Sequence, residues 1–509
     1  MATAARSPSA TVTDLSFPKI PPSAASTVVL VGKKAALIDA ISGEFFGDFS
    51  LDLAVATAAL GSIDGPSGTT SFYVSGGESP RRLSLCVLPE KTTRNNHPLS
   101  IHAITAMVSK VCPGKGDVSV IVAGSSKETP AGPLACAVAR AFPIYSSKTR
   151  DGKKDQEKRE VSVSILDEGG VPVADADSLK AAEAASRAVR MAARLVDTPP
   201  AELTTEAFSR ECKILADDLG DTVTFTEICG EELDRLGYGG LYGVGKGARI
   251  PPRLVVMTYN PPGDATPPET IALVGKGIVY DTGGLSLKGK EGMPGMKRDM
   301  GGAAGTLGGF VAAVQLGAKQ RLHLVLCLAE NAIGPDAVRN DDILTMYSGK
   351  TVEINNSDAE GRLVLGDGVA HATRNLGSVD LVLDMATLTG AQLVATGKKH
   401  AGILANAANL ESRTVTAGLR SGDMCFPLLY APELLMSEFK SEVADMKNSV
   451  KDRGNAQASC AGLFIESHLD GDYEGGWLHV DMAGPADKDE RGTGYGVALI
   501  LSLLGVPGF

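Results

Sequence analysis

The chain contains no Cys-x-x-Cys pair and no His-Glu-x-x-His motif, and no apolar run approaches the ~18 residues that a membrane helix requires. Each absence removes a class. The eight cysteines are scattered, some inside apolar runs such as Leu324-Val325-Leu326-Cys327-Leu328. That pattern argues against a disulfide framework or a structural zinc site and fits reduced thiols in a cytosolic protein. Aromatic residues make up only 5% of the chain against 43% apolar residues, so the interior should be built from Ala, Val, Leu and Ile. Positive charge is also short. Lys and Arg number 49 against 60 Asp and Glu, a formal balance of −11. Non-specific binding to nucleic acid or an anionic membrane is therefore not expected. Residues 1–20 carry only Arg6 and Lys19 as basic groups and have no continuous apolar core, unlike a signal or transit peptide. The expected location is cytoplasmic.

At 509 residues the chain exceeds one ordinary domain. Residues 1–25, rich in Ser, Thr, Ala and Pro, read as a loose leader. Residues 26–176 read as a small α/β domain with strand-like runs at 27–31, 83–88 and 118–122, and the charged run 146–159 as a solvated hairpin or loop. A helix over 177–195 ends at Asp197-Thr198-Pro199-Pro200 and connects to the rest, so that 177–509 forms the linker helix and a larger domain. There, strand candidates at 223–228, 253–259, 270–274, 322–328 and 381–385 alternate with helix candidates at 206–218, 302–316, 361–375 and 461–469. Unbroken apolar strands separated by helices indicate an α/β fold whose central mixed sheet is flanked by helices.

The most informative stretch is Asn355-Asn356-Ser357-Asp358-Ala359-Glu360-Gly361-Arg362-Leu363. Asp358 and Glu360 stand where a polar loop meets an apolar helix, and an unpaired buried charge costs several kcal/mol, so such groups pair with cations or bind metal. Gly361 and Arg362 then sit at a helix N-terminus, a natural anion site. Upstream, Val274-Gly275-Lys276-Gly277-Ile278-Val279-Tyr280-Asp281-Thr282-Gly283-Gly284 leads to Lys288, and Met296-Lys297-Arg298-Asp299-Met300 precedes a small-residue helix. Alone, each piece has a plain reading: Asp299 as a helix cap, Lys276 as a surface amine, Asp281-Thr282-Gly283-Gly284 as a tight turn or a sugar-kinase phosphate turn, Gly243-Val244-Gly245-Lys246-Gly247 as a nucleotide-loop echo. Together, Asp281, Asp299, Asp358 and Glu360 carry −4, which two divalent cations at +4 would cancel. The seven histidines show no ligand spacing and read as core or surface residues. Carboxylates suit Mn and Mg as well as Zn.

These strings resemble the dizinc leucyl (cytosol) aminopeptidase family, whose signature Asn-Thr-Asp-Ala-Glu-Gly-Arg-Leu appears here as Asn356 to Leu363 with Ser357 for Thr. The likeness runs from about residue 177 to the C-terminus and includes Asp384-Met385-Ala386-Thr387-Leu388-Thr389-Gly390-Ala391 and Trp477-Leu478-His479-Val480-Asp481-Met482-Ala483-Gly484. The resemblance implies a metallo-aminopeptidase that removes N-terminal, mainly apolar residues from peptides, assembled as a homohexamer of two stacked trimers. It implies one metal at Lys276, Asp281, Asp299 and Glu360 and a second at Asp281, Asp358 and Glu360, with Zn expected and Mn, Co or Mg as alternatives. Lys288 is implied as electrophile, and Arg362 as holder of a bicarbonate acting as general base. Met296, Asn356, Thr387, Leu388 and Gly390 match substrate-binding positions. Asp197 replaces the family's usual Asn, a change expected to affect the linker rather than the chemistry, and Pro485-Ala486 leaves the preference for Leu open. A sugar kinase gives no role to Asp358 and Glu360, and a non-enzymatic scaffold or DNA-binding relative would have a damaged ligand set. A dipeptidase-like relative acting on short peptides remains open.

Overall fold

The computed structural model describes residues 13–18, 25–43, 53–75, 80–150, 153–154, 159–263 and 267–509. The chain divides into two units, one of Met1–Arg190 with Ala417–Met424 and Gly505–Phe509, the other of Met191–Thr416 with Cys425–Leu504. The connecting helix runs Ala176–Asp197, so the division falls within it.

The first unit holds a six-stranded sheet in the order Thr13–Ser16, Arg159–Asp167, Val118–Ser125, Thr27–Gly32, Arg81–Val87, Gly68–Val74. All neighbours are parallel except the last pair. Strand residues alternate between two cores: Val29, Val31, Val120 and Val163 pack on one face with Ile104 and Leu134, and Leu30, Leu85 and Ile121 on the other with Leu37 and Leu60. Covering both faces is why the two central strands, Thr27–Gly32 and Val118–Ser125, are buried at every position. The loose-leader reading of 1–25 needs correction at Thr13–Ser16. This stretch adds an edge strand in register with residues 159–162, and Leu15 packs against the first core. Four residues that alternate in exposure are enough when a neighbouring strand offers its free edge. Residues 1–12 and 19–24 lie outside the described residues. The charged run holds the paired two-residue strands Thr149–Arg150 and Lys153–Lys154.

The second unit is built on an eight-stranded mixed sheet in the order Cys425–Pro427, Ala401–Ala405, Gly476–Asp481, Leu381–Ala386, Thr270–Asp281, Arg321–Asn331, Arg253–Tyr259, Val223–Cys229. Its four central strands, from Gly476–Asp481 to Arg321–Asn331, are mutually parallel, and antiparallel pairings flank them. The Gly301–Gln315 helix covers one face. The Gly361–Asn375 helix lies on the other, buried from Gly361 to Ala372 and packed by Leu363, Val364 and Val369 against Val274 and Val325.

The strand expected at 270–274 continues to Asp281, which places Lys276 and Asp281 on the sheet rather than in a glycine-rich loop. Gly275 serves packing here: a Cβ on it would lie 2.6 Å from the Ala303 Cα of the covering helix and 2.5 Å from Thr306 Oγ1. A β-strand absorbs a glycine where another backbone must approach this closely. Gly243 and Gly245 belong to the Gly239–Gly245 helix, where a Cβ would strike Leu344 and Pro252, so they form no nucleotide loop. The helix expected at 461–469 runs Gln457–Glu466. Among the described residues, no helix is long and apolar enough to cross a membrane.

Candidate active site

The parallel strands end on one side of the sheet, the edge at which α/β folds gather ligands. Asp281 closes the Thr270–Asp281 strand, with Lys276 further back on it. Asp299 lies in the 3-10 turn Met296–Met300, and Thr387 to Thr389 follow the Leu381–Ala386 strand. Asp358 and Glu360 precede the Gly361–Asn375 helix. All twelve residues singled out from the sequence line one cavity of about 310 Å3. These are Lys276, Asp281, Lys288, Met296, Asp299, Asn356, Asp358, Glu360, Arg362, Thr387, Leu388 and Gly390.

Two lysines are threaded through the carboxylates. Lys276 Nζ lies 2.8 Å from Asp299 Oδ1 and 2.9 Å from Glu360 Oε1, and donates to the Thr387 carbonyl at 3.0 Å. Lys288 Nζ lies 2.7 Å from Asp281 Oδ2 and 2.5 Å from Asp358 Oδ1. Burial alone would lower both amines, but the surrounding carboxylates, led by Asp299 for Lys276 and Asp281 for Lys288, outweigh it and raise them. The carboxyls are raised as well. Burial and then the Asp281 charge push Glu360 to about 8, burial lifts Asp299 to about 6 despite Lys276, and burial raises Asp358. The cluster holds more negative charge than two ammonium groups balance.

A divalent cation pair fits this donor set. Asp281, Asp358 and Glu360 each offer an oxygen within 4.8 Å of the others'. Asp299 Oδ2 is buried and has no hydrogen-bond partner among the described residues, so it is an acceptor with its position fixed and its valence open. Hard oxygen donors with one amine suit Mn, Mg or Zn alike. The capping role for Asp299 does not hold, because the following helix has no side-chain cap and Asp299 Oδ1 receives Lys276 and the Thr387 hydroxyl at 2.9 Å.

Arg362 enters the cavity wall from the first turn of its helix. It is 4% exposed, its guanidinium carbon lies 5.9 Å from the Phe439 ring centre, and Nε and one terminal nitrogen have no partner among the described residues. Burial lowers its pKa to about 10. A buried cation with open donors is a receptor for an anion.

The Asp281-Thr282-Gly283-Gly284 turn does not cradle phosphate, because its donors are spent internally. The Gly283 amide donates to Asp281 Oδ1 at 2.9 Å and the Gly284 amide to Thr282 Oγ1 at 3.1 Å. Gly283 has φ +86°, a left-handed conformation, and a Cβ there would lie 2.6 Å from the Ser286 carbonyl oxygen. Gly361 is glycine for space, since a Cβ on it would lie 2.6 Å from Lys276 Cε.

These observations meet a direct comparison. Residues 190–501 match the model of the cytosol aminopeptidase family, catalytic domain, and residues 26–151 that of M17 aminopeptidase N-terminal domain 2. The chain belongs to the cytosol aminopeptidase family. It is an aminopeptidase, a hydrolase of N-terminal peptide bonds. Among its relatives is a probable aminopeptidase of Homo sapiens, NPEPL1, 51% identical over 453 residues covering 88% of this chain and 83% of that one. Leucine aminopeptidase 1 of Caenorhabditis elegans is 41% identical over 94% of both chains. The solved structure of Caenorhabditis elegans leucine aminopeptidase superposes with a TM-score of 0.86 over 97% of this chain and 98% of that one, at 37% identity. A bottromycin maturation enzyme, BotP, solved in complex with Mn, gives 0.74 at 29% identity over 96% of this chain and 100% of that one. The two-domain fold with a mixed sheet in the larger part is that of these aminopeptidases.

Four supporting residues of this aminopeptidase had no assigned role. Asn331 Nδ2 donates to Asp281 Oδ1 at 2.8 Å and to the Ser357 carbonyl at 3.0 Å, tying the Asp281 strand end to the loop that bears Asp358. Fully buried Asn448 holds the Asn356 and Ala359 carbonyls. Asp481 accepts the Leu388 amide at 3.1 Å and the Thr389 hydroxyl at 2.7 Å, fixing the loop whose Thr387 carbonyl orients Lys276. Asp197, the last residue of the connecting helix, is the fourth. Its carboxylate takes the Gly492 amide at 2.8 Å and pairs with Arg491, while its carbonyl accepts from Lys297 at 2.7 Å, two residues from Asp299. Asn331 and Asp481 had one signal, a polar residue closing an apolar strand. The histidines stay outside the cluster; His479, for instance, pairs at Nδ1 with Asp384 at 2.5 Å.

Proposed function

We propose that this aminopeptidase is a two-metal leucyl-type enzyme that removes N-terminal, mainly apolar residues. Lys276, Asp281, Asp299 and Glu360 would hold one divalent cation and Asp281, Asp358 and Glu360 the other, with Zn favoured by family and Mn, Co or Mg open. Bound there, the metals would supply an activated water and a seat for the substrate's α-amine. The observation that carries this reading is the approach of Asp281, Asp358 and Glu360 within 4.8 Å, with Asp299 Oδ2 left open beside them.

The chain's own groups then divide the remaining work. Lys276, to act as a ligand, sheds its proton, and its remaining N–H groups stay directed by the Thr387 carbonyl. Lys288, beside Asp281 and Asp358, would keep its charge, polarise the scissile carbonyl and stabilise the oxyanion that develops on it. Arg362, with its open donors, would hold a bicarbonate, which would supply a general base beside the cluster. Met296, Leu388 and Gly390, with Leu393 and Ala483, line the cavity with apolar or small surface for the N-terminal side chain, and Asn356 and Thr387 complete its polar edge.

A homohexamer of two stacked trimers and a cytoplasmic location complete the proposal, both from family likeness. The test is leucyl-anilide hydrolysis after chelation, with Zn, Mn, Co or Mg returned singly and binding followed by competition with a chromophoric chelator. Return of activity with at least one metal, at a stoichiometry of two per chain, is expected. Activity untouched by chelation refutes the reading, and sedimentation velocity checks the hexamer.

A further inference from the structure

One wall of the cavity has no part in this chemistry. It is formed by Ser449, Arg453 and Gln457, on the segment between the Met446–Lys447 strand and the Gln457–Glu466 helix. The segment is anchored on both sides of Arg453. Asn448 Oδ1 accepts the Asn355 amide at 3.0 Å, and the Ser449 amide donates to Asn355 Oδ1 at 2.9 Å, which fastens the segment to the loop bearing Asp358. Beyond it, the Glu438 carboxylate accepts the Asp452 amide at 2.9 Å and Asn455 Nδ2 at 2.7 Å, and the Glu438 carbonyl accepts the Lys451 amide at 3.1 Å. The backbone around Arg453 is thus fixed by its neighbours, while its side chain is exposed and makes no ion pair among the described residues.

The other cavity cations have carboxylate partners or, for Arg362, a buried place assigned above to a small anion. Lys276 and Lys288 are each held by two carboxylates, Arg298 lies 3.4 Å from Asp487 Oδ1, and Arg362 is buried. An exposed arginine is usually a solvated surface group, and its presence alone would mean little. Here it is mounted on a pinned segment within the wall of the reaction cavity. That lowers the ordering cost of engaging a ligand, and a guanidinium fork matches a carboxylate in shape and charge. At about 310 Å3 the cavity stands at the small end of ligand sites. An extended dipeptide places its terminal groups roughly 7 Å apart.

We infer that Arg453 binds the free carboxylate of the residue beyond the scissile bond, which makes dipeptides the favoured substrate class. The inference rests on the aminopeptidase reading, since it requires the α-amine to be seated at the carboxylate cluster. An acidic side chain at the second position would use the same group.

The test uses the metal-loaded full chain with Leu-Gly, Leu-Gly-amide and Leu-Glu-amide. The wild type should cleave Leu-Gly with a kcat/KM about tenfold above the amide, the scale of one charge-assisted contact. R453A should bring that ratio to about one through KM, R453K should keep part of it, and R453E should favour the amide. A preference for Leu-Glu-amide over Leu-Gly would move the contact from the terminal to the side-chain carboxylate, and it would overturn the dipeptide assignment. An unchanged Leu-Gly to amide ratio in R453A and R453E also overturns the inference, while peptide hydrolysis itself persists. If the wild type cleaves none of the three, the failure belongs to the aminopeptidase reading instead.

Discussion

Replacing Glu360 by Gln should destroy activity and yet stabilise the metal-free protein. Glu360 is buried at 2% exposure, with Lys276 as its cation at 2.9 Å and the charges of Asp281 and Asp299 around it. Attraction to Lys276 lowers its pKa, whereas burial and like charge raise it, and the balance leaves the carboxyl at about 8 instead of 4.5. A folded-state pKa above the unfolded one means stability present below pH 4.5 and lost as pH climbs through 8. At about 1.4 kcal/mol per pH unit, Glu360 destabilises the metal-free fold by roughly 1 kcal/mol at pH 5 and roughly 4 kcal/mol at pH 8. Gln removes that cost and keeps an oxygen for Lys276 to donate to. Urea unfolding of chelated wild type and E360Q at both pH values reads the difference directly. With metal present the order reverses, because only the wild type gains binding energy, and leucyl-anilide turnover in E360Q should fall by at least about a thousandfold. A chelated E360Q that is less stable than wild type, or a difference independent of pH, would refute the charge argument.

Arg362→Met should leave the chelated protein as stable as wild type or more so, since it removes a buried cation with open donors and keeps contact with Phe439. Stimulation of turnover by bicarbonate should vanish in the same variant; a fall of several degrees in calorimetric Tm would contradict this. Gly361→Ala adds a methyl 2.6 Å from Lys276 Cε and should weaken metal binding about tenfold or more without unfolding the chain, as chelator competition and circular dichroism would show. Burial lowers His97 and His371 to about 4 and His468 to about 3. A lowered folded-state pKa gives stability that is present above the unfolded value of 6.5 and lost as pH falls toward 4. His468→Gln, which can still bond the Ser348 hydroxyl, should therefore reduce the acid slope of stability by about 1.4 kcal/mol per pH unit between pH 6 and 5, checked by urea titration.

The sequence is most legible where local pattern and chemical cost coincide. The Gly361–Asn375 helix begins and ends where its apolar spacing and Arg-bearing start place it, and Asp358 and Glu360 stand out because nothing in a core tolerates them unpaired. The strand expected at 270–274 stops short of Gly275 because glycine has the same local signature whether it frees a turn or admits a neighbouring helix; only the distance to Ala303 separates the two. The Ala401–Ala405 strand has little β-branched content, and its place comes from pairing with Gly476–Asp481. Asn448 carries no local signal at all, because its bonds to Asn356 and Ala359 cross about 90 positions. The pairing of Asp197 with Arg491 is hidden for the same reason, since 294 residues separate them.

The distances along the chain between these supports have a consequence for how the enzyme comes into being. Lys276 opens the site and Asp481, which fixes the Thr389 hydroxyl, closes it. Contacts of such span carry a loop-closure cost that local ones do not. A chain that lacks the Gly476–Asp481 strand has no Asp481 to hold the Leu388 amide and the Thr389 hydroxyl, so the loop that orients Lys276 loses that lock. Chains cut before residue 476 should therefore carry Lys276, Asp281, Asp299, Asp358 and Glu360 without the loop that orders them.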